Sequence, residues 1–353
     1  MKTKGLSLFA NVGIAETYIK PHGIDIVVAN ELMSKRAAFH QEMHPKCKMI
    51  CGDITNQETY SEILDAAKKS KCDFLIATPP CQGMSIAGKM QEDDPRNSLI
   101  KFVVEIIKAL EPSNALIENV RGVLKTSILV NGKSVKIVDY VNSELTPLGY
   151  FINPVVVDAS DYGTPQTRRR AIFLISKIAK WDLPKKMNKI TVREAIEHLP
   201  SLESAEHSDI KYHYAKKHNE RHIAVLKHTP SGKTALKNKV HYPKKADGTR
   251  IKGFATTYKR MAWDKPAPTI TMANGSISSQ NNVHPGKQNS DGTYSNARVL
   301  SLKEIFILTG LPDDWNPPEW ANHNMIREVI GEGVPPRLID ALLRTIPKNK
   351  EAK

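Results

Sequence analysis

The sequence predicts an α/β protein, with a mainly parallel sheet covered by helices on both faces and a second, smaller domain. Three observations carry this expectation. Short apolar runs alternate with helix-like segments over residues 5–178, as strands and crossover helices do. Near Trp181 the composition turns to Lys, His, Asn, Gly and Pro, and it stays so to about residue 295. From Ser301 apolar residues at helical spacing return.

The elements follow in order. A strand over 5–9 runs into a turn at Asn11 to Gly13 and a helix over 14–20. A second strand is expected over 24–29, a short third at Met49 and Ile50 ending near Gly52 and Asp53, and a fourth over 74–77. Residues 99–110 carry Ile100, Val103, Val104 and Ile107 at helical spacing and should pack on the sheet. Further strands are expected at 115–118 and 171–175, and the middle segment reads as short strands and loops. Leu302, Ile305, Phe306 and Leu308 mark a helix, and Leu338, Ile339, Ala341, Leu342 and Leu343 a final one after Pro336.

At 353 residues, 40% hydrophobic and 25% charged, the chain can bury a full core. No run of about 18 apolar residues occurs, so no membrane-spanning helix is expected. The first residues faintly resemble a signal peptide, but Asn11 and Glu16 interrupt the apolar stretch and no small-residue cleavage site follows. A cytoplasmic protein with reduced thiols is expected. Cys47 and Cys51 lack a second ligand pair at zinc spacing, so no metal is expected. The net charge of +14 is concentrated, because residues 180–265 hold 20 Lys or Arg against 9 Asp or Glu, a surplus of 11. Such a segment suits a polyanion, since each neutralised phosphate releases condensed counterions. Nucleic acid is the leading partner.

The chemistry centres on Pro80-Cys81-Gln82, just past the apolar run 74–77. A buried strand there delivers Cys81 to its carboxyl end behind Pro79 and Pro80, at the edge where open α/β sheets bind ligands. Cysteine is a strong nucleophile once part of it is thiolate, although a lone free cysteine is often only a small buried hydrophobe. Earlier strands end in acidic residues. Glu31 is placed to accept hydrogen bonds from both ribose hydroxyls of an adenosine, and Asp53 from the adenine amino group. Phe9, Asn11, Val12, Gly13 and Ile14 form a turn suited to close approach of a ligand to the backbone. No Gly-x-Gly-x-x-Gly or P-loop points to NAD or ATP.

Pro80-Cys81-Gln82, Glu118-Asn119-Val120 and Gln166-Thr167-Arg168-Arg169-Arg170, in this order, resemble the DNA cytosine-C5 methyltransferases. The resemblance continues through Arg298 to Glu304, Leu308 to Asp313 and Gly331 to Pro336, and covers the chain except its variable middle. It implies a Rossmann-like sheet that binds S-adenosyl-L-methionine, released as S-adenosyl-L-homocysteine. It also implies a catalytic domain of residues 1–180 and 322–353 and a target-recognition domain of 181–321. Leu32, Ile54, Pro80, Leu99, Glu332 and Val334 join the expected cofactor contacts. Gln82, Ser85, Arg96, Arg170, Thr269 and Thr271 are the expected DNA contacts, the first three on a loop closing over the target base. Arg298 matches an arginine that organises the recognition domain. The first motif departs from the family's Phe-x-Gly-x-Gly-Gly at Asn11 and Ile14, and the last has Glu332 in place of an Asn.

The implied reaction suits these residues. Attack of the Cys81 thiolate on cytosine C6 breaks the ring's conjugation and makes C5 nucleophilic. Glu118 acts at N3 if burial raises its pKa, while Arg168 holds the O2 side and orients Glu118. The base must leave the duplex first. Double-stranded DNA is thus the expected partner of a monomer, read first as the modification half of a restriction-modification system whose endonuclease acts separately, with a solitary or phage-borne enzyme as the open alternative. The rivals are a tRNA-directed branch of the same family, disfavoured by the large basic middle, and a catalytically silent DNA-binding protein, disfavoured by intact Cys81, Glu118 and Arg168. A nicotinamide oxidoreductase lacks its fingerprint.

Overall fold

The computed structural model describes residues 2–80 and 98–349. The chain forms two compact units: one comprises Met1–Asp158, Arg169–Lys186 and Leu338–Lys353, and the other Ala159–Arg168 and Met187–Arg337. The boundaries expected from the sequence, at 180/181 and 321/322, differ from these. None of the described helices is long and apolar enough to cross a membrane.

The first unit holds strands β1 (Thr3–Leu8), β2 (Ile24–Glu31), β3 (Lys48–Cys51), β4 (Phe74–Ala77), β5 (Asn114–Val120), β6 (Ser127–Val130), β7 (Lys133–Lys136), β8 (Phe151–Asp158) and β9 (Arg169–Ser176). Seven of them form one sheet in the order β3-β2-β1-β4-β5-β9-β8, and β6 and β7 make a separate hairpin. The first five run parallel, whereas β9 is antiparallel to both β5 and β8. Each residue of β4 is buried, which is why it reads as a continuous apolar run. Helices α1 (Ser34–Met43), α2 (Gln57–Ser70), α3 (Leu99–Leu110) and α4 (Ile137–Leu145) accompany the sheet. Helix α3 buries Ile100, Val103, Val104, Ile106 and Ile107, the face its periodicity foretells. Asn56 starts α2 by accepting hydrogen bonds from the N–H groups of Glu58 and Thr59.

Two expectations change. The helix predicted over 14–20 is instead two single 3₁₀ turns, Ile14–Glu16 and Lys20–His22. The segment lies between Gly13 in the left-handed region and Pro21, which has no N–H, so little room remains to propagate an α-helix. The sequence reading also places no strand at β8, which carries Pro154. β8 pairs only with β9 at the sheet edge, the position that tolerates proline.

The second unit contains α5 (Val192–Ile196), α6 (Glu220–Lys227), α7 (Leu302–Thr309) and α8 (His323–Glu332). A last helix, α9 (Pro336–Leu343), crosses the boundary into the first unit. The short strands expected in the middle segment reduce, among the described residues, to isolated bridges such as Val283↔Val299. Buried carbonyls here have no ladder and need other donors. Buried arginines supply them. Arg260 donates to the carbonyls of Leu226, His284 and Asn296, and Arg327 to that of Leu300. Arg298, 0% exposed, donates to Leu202 O and grips both Glu304 oxygens at 2.8 Å. Glu304 also closes a capping box with Ser301 at the start of α7.

Burial alone would raise the Glu304 carboxyl, but Arg298 and the neighbouring donors reverse this and hold it well below the usual carboxylate range. Its contribution to stability is therefore present above the unfolded carboxylate value of about 4.3 and is lost as pH falls below it. Glu304→Gln should flatten the acid limb of the stability–pH curve. Arg298→Met should cost about 3–5 kcal/mol, because it leaves a buried carboxylate unpaired. Chemical denaturation across pH measures both, and a wild-type acid limb in Glu304→Gln would contradict the assignment.

Candidate active site

The parallel arrangement brings the ends of β3, β2, β1, β4 and β5 side by side, neighbouring strands lying about 4.8 Å apart. The chain leaves β1 through Phe9, Asn11 and Gly13, all with positive φ (57°, 50° and 81°). Such a run of left-handed residues holds the backbone in a tight, unusual course. A Cβ on Gly13 would lie 2.2 Å from His44 Nε2, so only glycine fits there. Below this turn His40 Nε2 and Glu16 Oε2 share a 3.1 Å hydrogen bond. Glu16, His40 and His44 bring potential ligand atoms within 4.8 Å of one another, a grouping the cysteine-based reading of metal sites does not consider.

Glu31, 6% exposed, closes the neighbouring strand. Its carboxylate accepts the N–H of Asn11 and that of Met33, both at 2.9 Å. Asn30 donates to the carbonyls of Ile50 and Gly52, tying β2 to the end of β3. Asp53 Oδ1 accepts the N–H and hydroxyl of Thr55, an Asx turn that leaves Oδ2 without a hydrogen bond among the described residues. Ile54 is buried and Leu32 exposed. Thr78 donates through its hydroxyl to Phe9 O, joining the ends of β4 and β1. Val12 and Ile14 are buried, Leu99 is half-buried and Pro80 exposed.

The fifth strand end carries Glu118 and Asn119. Asn119 donates to Pro79 O at 3.1 Å, which fixes the backbone leading toward Cys81. Glu118, 7% exposed, has the Arg170 guanidinium at 2.8 Å. The register explains the pair: Arg170 lies opposite Val120 on β9, diagonal to Glu118 and within reach of a long side chain. Cys81, Gln82, Ser85 and Arg96 lie outside the described residues.

The sequence reading gives Arg168 the task of orienting Glu118; Arg170 is a guanidinium that lies against that carboxylate as well. Arg168, in the second unit, donates to the carbonyls of Ile270, Gly331 and Glu332. Gln166 works alongside it, donating to Leu308 O and accepting the N–H of Ile270. Thr269 donates to Thr167 O, while Thr271 packs so closely on Gly331 that a Cβ there would meet its peptide at 2.4 Å. Glu332 is half-buried and Val334 buried. The motif thus divides: Gln166 and Arg168 belong to the second unit, Arg169 and Arg170 to β9 of the first. The signal available in the sequence is the two-residue spacing of Arg168 and Arg170; the place of Arg170 opposite Val120, diagonal to Glu118, comes from the strand register.

A family model of C-5 cytosine-specific DNA methylases matches residues 3–348. Among curated relatives, the Type II methyltransferase M1.HgaI of Avibacterium volantium is 48% identical over 97% of each chain. The Type II methyltransferase M.DdeI of Desulfomicrobium norvegicum is 27% identical over 97% of this chain and 88% of its own length. A crystal structure described as a candidate DNA modification methyltransferase from an E. coli prophage has a TM-score of 0.69 at 21% identity, covering 98% of both chains. The Entamoeba histolytica methyltransferase EhMeth has a TM-score of 0.65 at 12% identity, again covering 98% of both. These two establish likeness of fold. With the family model spanning nearly the whole sequence, the chain belongs to the C-5 cytosine-specific DNA methylases.

Proposed function

We propose that this chain is the modification enzyme of a Type II restriction-modification system, transferring a methyl group from S-adenosylmethionine to C5 of a cytosine turned out of duplex DNA. The observation that carries the reading is the pair of buried Glu118 and half-buried Arg170 one strand from the β4 end, where Asn119 anchors the Pro79-Pro80 approach to Cys81. It acts as a monomer in the cytoplasm, alongside an endonuclease that works separately.

The residues present fit the cofactor. When bound, S-adenosylmethionine supplies a methyl group on a sulfonium centre. Each Glu31 oxygen accepts one backbone N–H and keeps a second lone pair for a ribose hydroxyl. Asp53 Oδ2 is available to the adenine amino group. The left-handed turn at Phe9, Asn11 and Gly13 presents main chain rather than side chain. On the substrate side, the Cys81 thiolate forms a bond to C6, and charge develops toward N3 and O2. Glu118 supplies a proton or hydrogen bond at N3, and Arg170 holds Glu118 in place while offsetting that charge. After C5 is methylated, loss of its proton and departure of Cys81 restore the aromatic ring. The basic second unit reads the target sequence, and Arg168 serves as a frame residue there.

Cys81→Ser should keep cofactor and DNA binding but lose methyl transfer by at least roughly a thousandfold, since a hydroxyl stays protonated near neutral pH. The wild type should form a covalent adduct with 5-fluorocytosine DNA at Cys81. Substantial transfer by the serine variant would overturn the nucleophile assignment.

Arg170→Lys and Glu118→Gln should each lower the single-turnover rate by roughly 100-fold with little change in DNA affinity. Arg168→Ala should instead lower stability by about 2–4 kcal/mol, since it leaves three carbonyls without their donor. If the Arg168 variant stays stable and loses only rate, the two roles are exchanged.

Glu31→Ala and Asp53→Ala should raise the cofactor dissociation constant about tenfold or more. Calorimetry giving wild-type affinity for both would remove the nucleoside site from these strand ends.

A further inference from the structure

The second unit carries a feature that neither the family match nor the catalytic reading uses. Residues 241–252 form a narrow two-armed finger. Lys244 bridges to Arg250, Lys245 N–H donates to Thr249 O, and Ile251 N–H to Pro243 O. Its tip is an Asx turn, in which Asp247 accepts the N–H and hydroxyl of Thr249, with Gly248 at φ 82°.

The root is firmly held. Asn238 donates to His228 O and accepts the N–H groups of Val240 and His241. The His241 ring stacks on His228 at 3.6 Å between centroids. Arg250 donates to the carbonyls of Leu236 and Asn238, and its guanidinium lies over the Tyr242 ring at 4.2 Å. A finger fixed in this way loses little conformational entropy when it meets a partner.

Its surface has two chemistries. Lys239, Lys244, Lys245 and Lys252 are exposed, and among the described residues none has a carboxylate within ion-pair distance. The only acid between 237 and 252 is Asp247, exposed at the tip with Oδ1 engaged by Thr249. Flanking the arms stand Val240 at 73% exposure and Phe254 at 77%, the two most exposed large apolar side chains among the described residues. Exposed apolar side chains among unpaired cations are costly in water and need a partner that is anionic outside and apolar within. Duplex DNA has this character, with phosphates along the rim and base edges, thymine methyls and stacking faces in the groove.

We propose that the finger is the DNA-reading edge of the second unit: Lys239, Lys244, Lys245 and Lys252 engage phosphates, and Val240 and Phe254 contact bases. This rests on the reading of the chain as a duplex-directed methylase. A single-stranded or structured RNA would also meet the cations, so the binding measurements include one.

The experiment uses the full chain. Methylation mapping on plasmid DNA first identifies the wild-type site. Fluorescence anisotropy then follows binding to a duplex with that site, an unrelated duplex and a folded RNA, across salt. Lys244→Ala/Lys245→Ala/Lys252→Ala should weaken both duplexes alike and reduce the slope of log affinity against log salt by about two to three. Phe254→Ala and Val240→Ala should keep the salt slope and the unrelated-duplex affinity, and lose about fivefold or more on the specific duplex. Thermal unfolding should match wild type, since all these positions are exposed. An unchanged salt slope in the lysine variant, equal losses on both duplexes in the Phe254 variant, or tighter wild-type binding to the RNA would each overturn the proposal. The salt-slope arm needs no methyl transfer, so a wild type that methylates no duplex would defeat the parent reading separately.

Discussion

Five strands running the same way set the terms for the candidate site. Because β3, β2, β1, β4 and β5 are parallel, their carboxyl ends meet along one edge without any long-range device to gather them. Each end then needs only a short local arrangement. β1 contributes a left-handed turn, β2 an acid clasped by two main-chain N–H groups, β3 an Asx turn, β4 a proline pair and β5 an acid with its guanidinium. The cross-links between neighbours include the hydrogen bonds of Asn11 to Glu31, Asn30 to Ile50 and Gly52, Thr78 to Phe9 and Asn119 to Pro79. Each joins adjacent strands, so the edge is stitched in series and a shift at one end passes to the next.

The second unit solves a different problem. It has few regular hydrogen-bond partners for its buried main chain, and it meets the need with arginine. A guanidinium offers five donors in a rigid plane, enough to collect carbonyls from several loops at once. Arg260, Arg298 and Arg327 do this around the segments that precede α7 and α8. Arg168 applies the same principle where the methylase motif meets this unit. Arg298 is in addition paired with a buried acid, Glu304.

Much of this was legible in the sequence, for physical reasons that differ by element. β4 and α3 were plain because burial on both faces, or on one helical stripe, leaves an unambiguous apolar pattern. The acids Glu31 and Glu118 were found because each ends such a run. The 3₁₀ turns after Gly13 were missed because a seven-residue apolar spacing looks helical whether or not its ends allow propagation. β8 was not expected, and its tolerance of Pro154 follows from an edge position that is not a property of local sequence. The contact of Arg170 with Glu118 was not expected for a similar reason: it depends on the register of β9 against β5, which local sequence does not reveal. The finger and its exposed Phe254 could not be read at all, since exposure depends on what folds over a residue.

Anchoring loops through main-chain oxygens has an evolutionary consequence. Every residue type carries the same carbonyl, so a guanidinium that binds Leu202, Leu226 or Leu300 through its backbone is indifferent to the side chain there. Drift in those loops need not loosen the frame, provided the path of the chain is kept. Side chains that face outward are then released from structural duty and free to vary. A protein built this way can explore new partners on a fixed skeleton, changing what it recognises faster than it changes shape.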